Sequence, residues 1–122
     1  MSNVPAITRQ QLEAKLEAGH DLVIVEALGP MYYDDAHLPG ARNLPHDRVD
    51  ELAADLLPDK DRFVVVYCSN TACPNSVVAS RRLVELGYTN VHEYVEGKQD
   101  WIEAGLPIEQ SARTNELAAN QG

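Results

Sequence analysis

The run "RFVVVYC", residues 62–68, limits the possible folds of this chain more than any other stretch. Its apolar residues are consecutive and mostly β-branched, with no polar residue between them. A strand without a wet face is covered on both sides, and this favours a parallel sheet with helices on each face. "DLVIVEA", residues 21–27, is a second buried strand of the same kind. The stretches between them turn helical. Thr8 opens "TRQQLEAKLEAGH" with Gln11 three residues on, a capping-box pattern. Ile7, Leu12 and Leu16 make a helical stripe that Gly19 closes, so a helix is predicted over 9–18. "GPMYYDDAH" fits a short helix with Pro30 in its first turn. "HLPGARNLP" reads as a turn followed by a short strand over 42–44. "HDRVDELAADLLPDKD" places Val49, Leu52, Leu56 and Leu57 on one helical face, and Pro58 ends that helix. A further helix is predicted over 76–86, with Asn75 or Ser76 as N-cap and Gly87 just past its end. "NVHEYV" is the next strand, and "GKQDWIEAG" is a short helix stopped by Gly105. Residues 110–122 are polar and read as a loose tail, which leaves 1–109 as one domain. Alternating strands and helices give an α/β fold, a mostly parallel central sheet flanked by helices on both faces.

Composition narrows the function. The chain has 122 residues, enough for one domain with a real core. Nineteen acids stand against 10 Lys and Arg, for a net charge of −9. That field repels polyanions and argues against nucleic acid or an anionic membrane as partner. A small anionic ligand stays open, because a local nest of N–H groups outweighs a distant field. No segment approaches the roughly 18 apolar residues of a spanning helix. The start, "MSNVPAITRQQ", lacks the basic and apolar regions of a secretion signal, so a cytoplasmic location is expected. Two cysteines are too few for a disulfide scaffold, and a reducing compartment keeps them as thiols.

Those cysteines carry the chemistry. Cys68 ends the apolar run, and Cys73 follows five residues later, just before a helix. In parallel α/β sheets ligands gather at the carboxyl ends of strands. The unsatisfied N–H groups of a helix start lower the pKa of a nearby thiol. The loop "CSNTACPNS" is built of small residues, so the amides of Ser69, Asn70, Thr71 and Ala72 can curl around the sulfur, ahead of Pro74, Asn75 and Ser76. Three readings are open: Cys68 as a small buried hydrophobe, a metal ligand, or a nucleophile. The metal reading is weak, because two cysteines at this spacing need further ligands and no C-x-x-C or paired-His pattern is present. A phosphate-binding cysteine loop needs an Arg six residues after the nucleophile, and Pro74 stands there.

Three stretches in order resemble the single-domain rhodanese family. "AHLPGARNLP" is similar to the family's G-H-I-P-G-A-x-N-x-P, "VVVYC" to its central strand and nucleophile, and "ELGYTNVHEYVEGKQDW" to its L-G-y-x-n-V-x-x-l-x-G-G-x-x-x-W ending. The resemblance runs from about Thr8 to Glu109. It implies a rhodanese-like α/β fold and a sulfurtransferase that carries sulfane sulfur as a persulfide on Cys68. A small sulfur donor, a thiol or protein acceptor and no cofactor go with that activity. The chain departs from the family at three points. The helix-starting Ser76 comes eight residues after Cys68 rather than six, and the loop holds no Arg or Lys. The D-x-R that usually follows the first strand appears as Glu26, Ala27 and Leu28. Anionic donors such as thiosulfate therefore lack charge-assisted partners. Cys73 has two readings: a resolving thiol that forms a disulfide with Cys68, or a small residue packing the underside of the loop. An alternative for the whole chain is a non-catalytic binding or thiol redox-sensing module.

The remaining candidates are weaker. His37, in "AHLPG", is expected to hold the turn rather than move protons. His46 and His92 belong to no motif and are expected at solvent or edge positions. Trp101 fits the core. Tyr32 and Tyr33 fit either the site mouth or the packing of the short helix. Arg81 and Arg82 lie on the second turn of their helix, too far along to grip a sulfur at Cys68.

Overall fold

The computed structural model describes residues 4–110. The tail expected over 110–122 therefore lies almost wholly outside the described residues. In chain order the elements are α1 (Arg9–Glu17), β1 (Leu22–Glu26), α2 (Pro30–Asp35), β2 (Arg42–Asn43), α3 (Val49–Leu56), β3 (Phe63–Tyr67), α4 (Asn75–Glu85), β4 (Val91–Tyr94) and α5 (Gly97–Glu103). Four strands form one sheet in the order β2-β1-β3-β4, and every pairing is parallel. The apolar run before Cys68 is thus a central strand. Register aligns Asn43, Glu26, Tyr67 and Tyr94 as the last row on the carboxyl edge.

Side chains alternate across β3, as strand geometry requires. Val64 and Val66 join Val23, Val25, Val49, Ala53, Ala79 and Leu83 in a core under α3 and α4. Val65 and Tyr67 join Ile7, Leu12, Ile24, Leu38, Tyr94 and Trp101 in a second core on the opposite face, under α1 and α5. Helices therefore cover both faces, as the unbroken apolar strands demand. Cys68 follows directly on the last residue of β3.

Most of the expected caps form. The Thr8 hydroxyl accepts from the Gln11 amide at 3.1 Å, and the Gln11 side chain accepts from the Thr8 amide at 2.9 Å. Leu12 is fully buried, whereas Leu16 is 38% exposed and leaves the predicted stripe at the rim. The expected N-cap of α4 is corrected. Pro74 occupies the cap position without a side-chain bond, and Asn75 and Ser76 lie inside the helix. Ser76 donates instead to Glu93 Oε2 at 2.6 Å. A buried hydroxyl satisfied by the neighbouring strand is not free to cap its own helix.

His37 is structural. Its ring stacks on Tyr33 at 3.9 Å, its Nδ1 lies 2.8 Å from the Tyr33 carbonyl, and it is 4% exposed. Tyr33 therefore packs the turn, while Tyr32 points outward at 64% exposure. His92 sits on the edge strand β4, stacked on Phe63. Trp101 is buried and donates to the Pro107 carbonyl at 2.7 Å. Arg82 binds Asp50 and Glu85, away from the cysteine loop.

Candidate functional site

Cys68 lies at the carboxyl end of β3 and is 1% exposed. The loop after it is folded on Asn70. The Cys73 amide donates to the Asn70 carbonyl at 3.1 Å, and the Ala72 amide donates to Asn70 Oδ1 at 3.0 Å. In this form those two amides serve the turn rather than the Cys68 sulfur. The Ser69 hydroxyl lies 4.0 Å from that sulfur. The turn brings Cys73 back onto Cys68, and the two are joined as a disulfide with their Cα atoms 6.3 Å apart. The expectation of two free thiols is corrected for this state. A five-residue separation closed by a turn lies within the Cα range that a disulfide spans.

The start of α5 clamps the same loop. Lys98 N donates to the Cys68 carbonyl at 2.9 Å, and Gln99 N donates to the Ser69 carbonyl at 2.8 Å. Gly97 makes this approach possible. Its φ is +75°, and a Cβ there would fall 2.7 Å from the Cys68 carbonyl oxygen. Only glycine tolerates both conditions. The far side of α5 is anchored in turn. Arg9 binds both oxygens of Asp100 at 2.8 and 2.9 Å, and Tyr94 donates to Asp100 at 2.7 Å. The Tyr94 hydroxyl, and then Arg9, hold Asp100 below the usual carboxylate range.

Beneath the loop lies a buried polar network that the sequence reading did not assemble. Glu26 is fully buried at the end of β1. It accepts from the Tyr67 hydroxyl at 2.6 Å and from Lys98 Nζ at 3.3 and 3.2 Å. Lys98 Nζ also donates to the carbonyls of Tyr32 at 3.0 Å and Ala36 at 2.7 Å, and the Leu38 amide donates to the Tyr67 hydroxyl at 3.1 Å. Burial pushes the Glu26 carboxyl above its ordinary range, while Tyr67 and Lys98 draw it back down. Burial, with the nearby Glu26, holds the Tyr67 phenol far above its usual value. One signal pointed to this network. A glutamate at the end of an otherwise apolar buried strand requires a partner.

A model of the Rhodanese-like domain family matches residues 8–104. The chain belongs to that family. A regulator from Mycobacterium tuberculosis, the HTH-type transcriptional regulator Rv0324, is 33% identical over 107 residues, covering 88% of this chain and 46% of its own length. The thiosulfate sulfurtransferase PspE of Escherichia coli is 42% identical over 62 residues, covering 51% of this chain and 58% of its own. The chain thus spans about half the length of these curated relatives. An E. coli structure described as a rhodanese with anions is 32% identical, with a TM-score of 0.61 over 74% of this chain and 99% of that one. The α/β architecture agrees with such rhodanese-like neighbours.

Within this rhodanese-like frame, Gly97 keeps the motif's second glycine, while Glu96 stands where it has the first and Glu26 where it has an aspartate. A lysine and a glutamate far apart in sequence have become partners in space. The ammonium of Lys98 is committed to Glu26 and two carbonyls, so it does not replace the missing loop arginine. A shallow depression of about 300 Å³ beside the loop is lined by Ser69, Lys98, Gln99, Ile102 and Glu103. Two larger grooves, of about 550 and 500 Å³, contain none of residues 68–76. Among the described residues no helix is long and apolar enough to cross a membrane. No group of three or more His, Cys, Asp or Glu side chains is gathered there for a metal.

Proposed function

We propose that this protein is a sulfurtransferase that carries sulfane sulfur as a persulfide on Cys68. The position of Cys68 supports this reading most: the end of a central strand, in a loop that runs into α4, within a rhodanese-like domain. The reduced form is the active one. The Cys68 thiolate attacks the outer sulfur of a donor persulfide, a new S–S bond forms, and the donor thiolate leaves with the old bonding pair. An acceptor thiolate then attacks that outer sulfur and returns Cys68 as thiolate. Each step is a displacement without net oxidation.

The loop has no basic side chain to neutralise a dianion, so thiol persulfides are better donors than thiosulfate. The depression beside Ser69 gives a small donor its place. A cytoplasmic setting, with a small thiol or a protein thiol as acceptor, belongs to the same reading. A second reading, a redox-sensing module, is favoured by the Cys68–Cys73 disulfide.

The test is to incubate reduced Cys73→Ser protein with thiosulfate, a thiol persulfide or 3-mercaptopyruvate, and to weigh the intact chain. The expected result is a gain of one sulfur atom, greatest with the thiol persulfide and lost when Cys68 is also changed to Ser. No gain with any donor overturns sulfur carriage and leaves the redox reading.

A further inference from the structure

We infer that Cys73 is a second catalytic residue, which converts the sulfur held on Cys68 into free sulfide. This inference rests on the sulfur-carrying reading. The disulfide shows that the Cys73 sulfur reaches the Cys68 sulfur within the folded loop. In a Cys68 persulfide that same atom is the inner sulfur, bonded to one outer sulfur. Attack by the Cys73 thiolate on the inner sulfur forms the Cys68–Cys73 bond and breaks the bond to the outer sulfur, which leaves with its electron pair as hydrosulfide. The two cysteines lose two electrons and the sulfane sulfur gains them, so no outside oxidant is needed. Hydrosulfide is the weaker base of the two sulfurs that could leave, and a less basic leaving group departs faster.

The loop is built to hold this reaction in place. Asn70 accepts from the amides of both Ala72 and Cys73, which fixes the turn between the two sulfurs. Asn70 Nδ2 donates in turn to the Gln99 side chain at 3.2 Å, which ties the turn to α5. Exposure differs across the bond. Cys68 is 1% exposed, whereas Cys73 is only partly buried. The reducing partner is therefore a dithiol that attacks the Cys73 sulfur, releases Cys68 first, and then closes its own disulfide. The net reaction turns a thiol persulfide and a dithiol into a thiol, sulfide and the partner's disulfide.

The experiment uses the full chain, reduced, freed of reductant and kept without oxygen, with one equivalent of a small thiol persulfide. Free sulfide and intact mass are followed together. Wild type is expected to release one sulfide per chain and to end two hydrogens lighter than the reduced protein, with Cys68 and Cys73 linked in its peptide map. Cys73→Ser and Cys73→Ala are expected to keep one added sulfur and to release no sulfide until a thiol is supplied. A wild type that holds a stable persulfide, or variants that release sulfide as fast as wild type, overturns the inference while leaving sulfur carriage intact. If neither wild type nor the variants gain or release sulfur, both readings fall. Retention of the wild-type circular dichroism by either variant establishes that the comparison is between folded proteins.

Discussion

Lys98 is the residue on which the candidate site leans most heavily. Its backbone amide holds the Cys68 carbonyl, and its ammonium reaches the buried Glu26. Only 12% of its side chain is exposed, and none of that of Glu26. Removing one partner of such a pair strands the other charge, at a cost of about 3–5 kcal/mol. Glu26 limits the loss by taking up a proton, and its raised pKa already leans that way. Lys98→Met should therefore destabilise the protein by about 3 kcal/mol in urea unfolding, and adding Glu26→Gln should recover part of the loss. A Lys98→Met variant as stable as wild type would show that the pair adds nothing. Neither residue stood out in the sequence as one of a pair, because 72 positions separate them. The position of Cys68 was legible because strand, loop and helix start all lie next to it in the chain.

At the scale of elements, the helix and strand pattern was readable wherever a local rule fixes it. The capping box of α1 and the glycines that end α1 and α5 are such cases, with Gly19 and Gly105 at positive φ. The reading failed where a tertiary contact competes with a local one. Ser76 binds Glu93 across to β4 rather than capping α4, and Leu16 stays 38% exposed at the rim. Gly97 marks the contact between elements that matters most. It lets the start of α5 press on the cysteine loop, closer than any side chain allows. Gly97→Ala should cost about 1–2 kcal/mol for its left-handed backbone. The overlap with the Cys68 carbonyl adds about 1–3 kcal/mol. Unfolding in urea measures the sum. The displaced loop should also change the rate at which reduced Cys68 is alkylated. An unchanged stability and an unchanged alkylation rate would contradict the clamp.

Across the whole molecule, the parallel sheet brings the strand-borne residues of the candidate site to one edge. Glu26, Tyr67 and Tyr94 share the last row of the sheet, and Cys68 follows immediately. Tyr67 and Tyr94 belong to the α1 and α5 face. The buried network lies beneath the cysteine loop, and the start of α5 ties the two together. The fold was legible because unbroken β-branched strands admit few alternatives. The chemistry was less so, because the loop departs from its family in length and charge. The central claim is that Cys68 itself carries the sulfur that is passed on. It is tested most directly with a thiol persulfide whose outer sulfur is isotopically heavy, reacted with reduced Cys73→Ser protein and then with an acceptor thiol. The heavy sulfur should appear on the Cys68 peptide first and in the acceptor persulfide afterwards, with neither signal when Cys68 is also Ser. Heavy sulfur reaching the acceptor at the same rate without Cys68 would contradict the account.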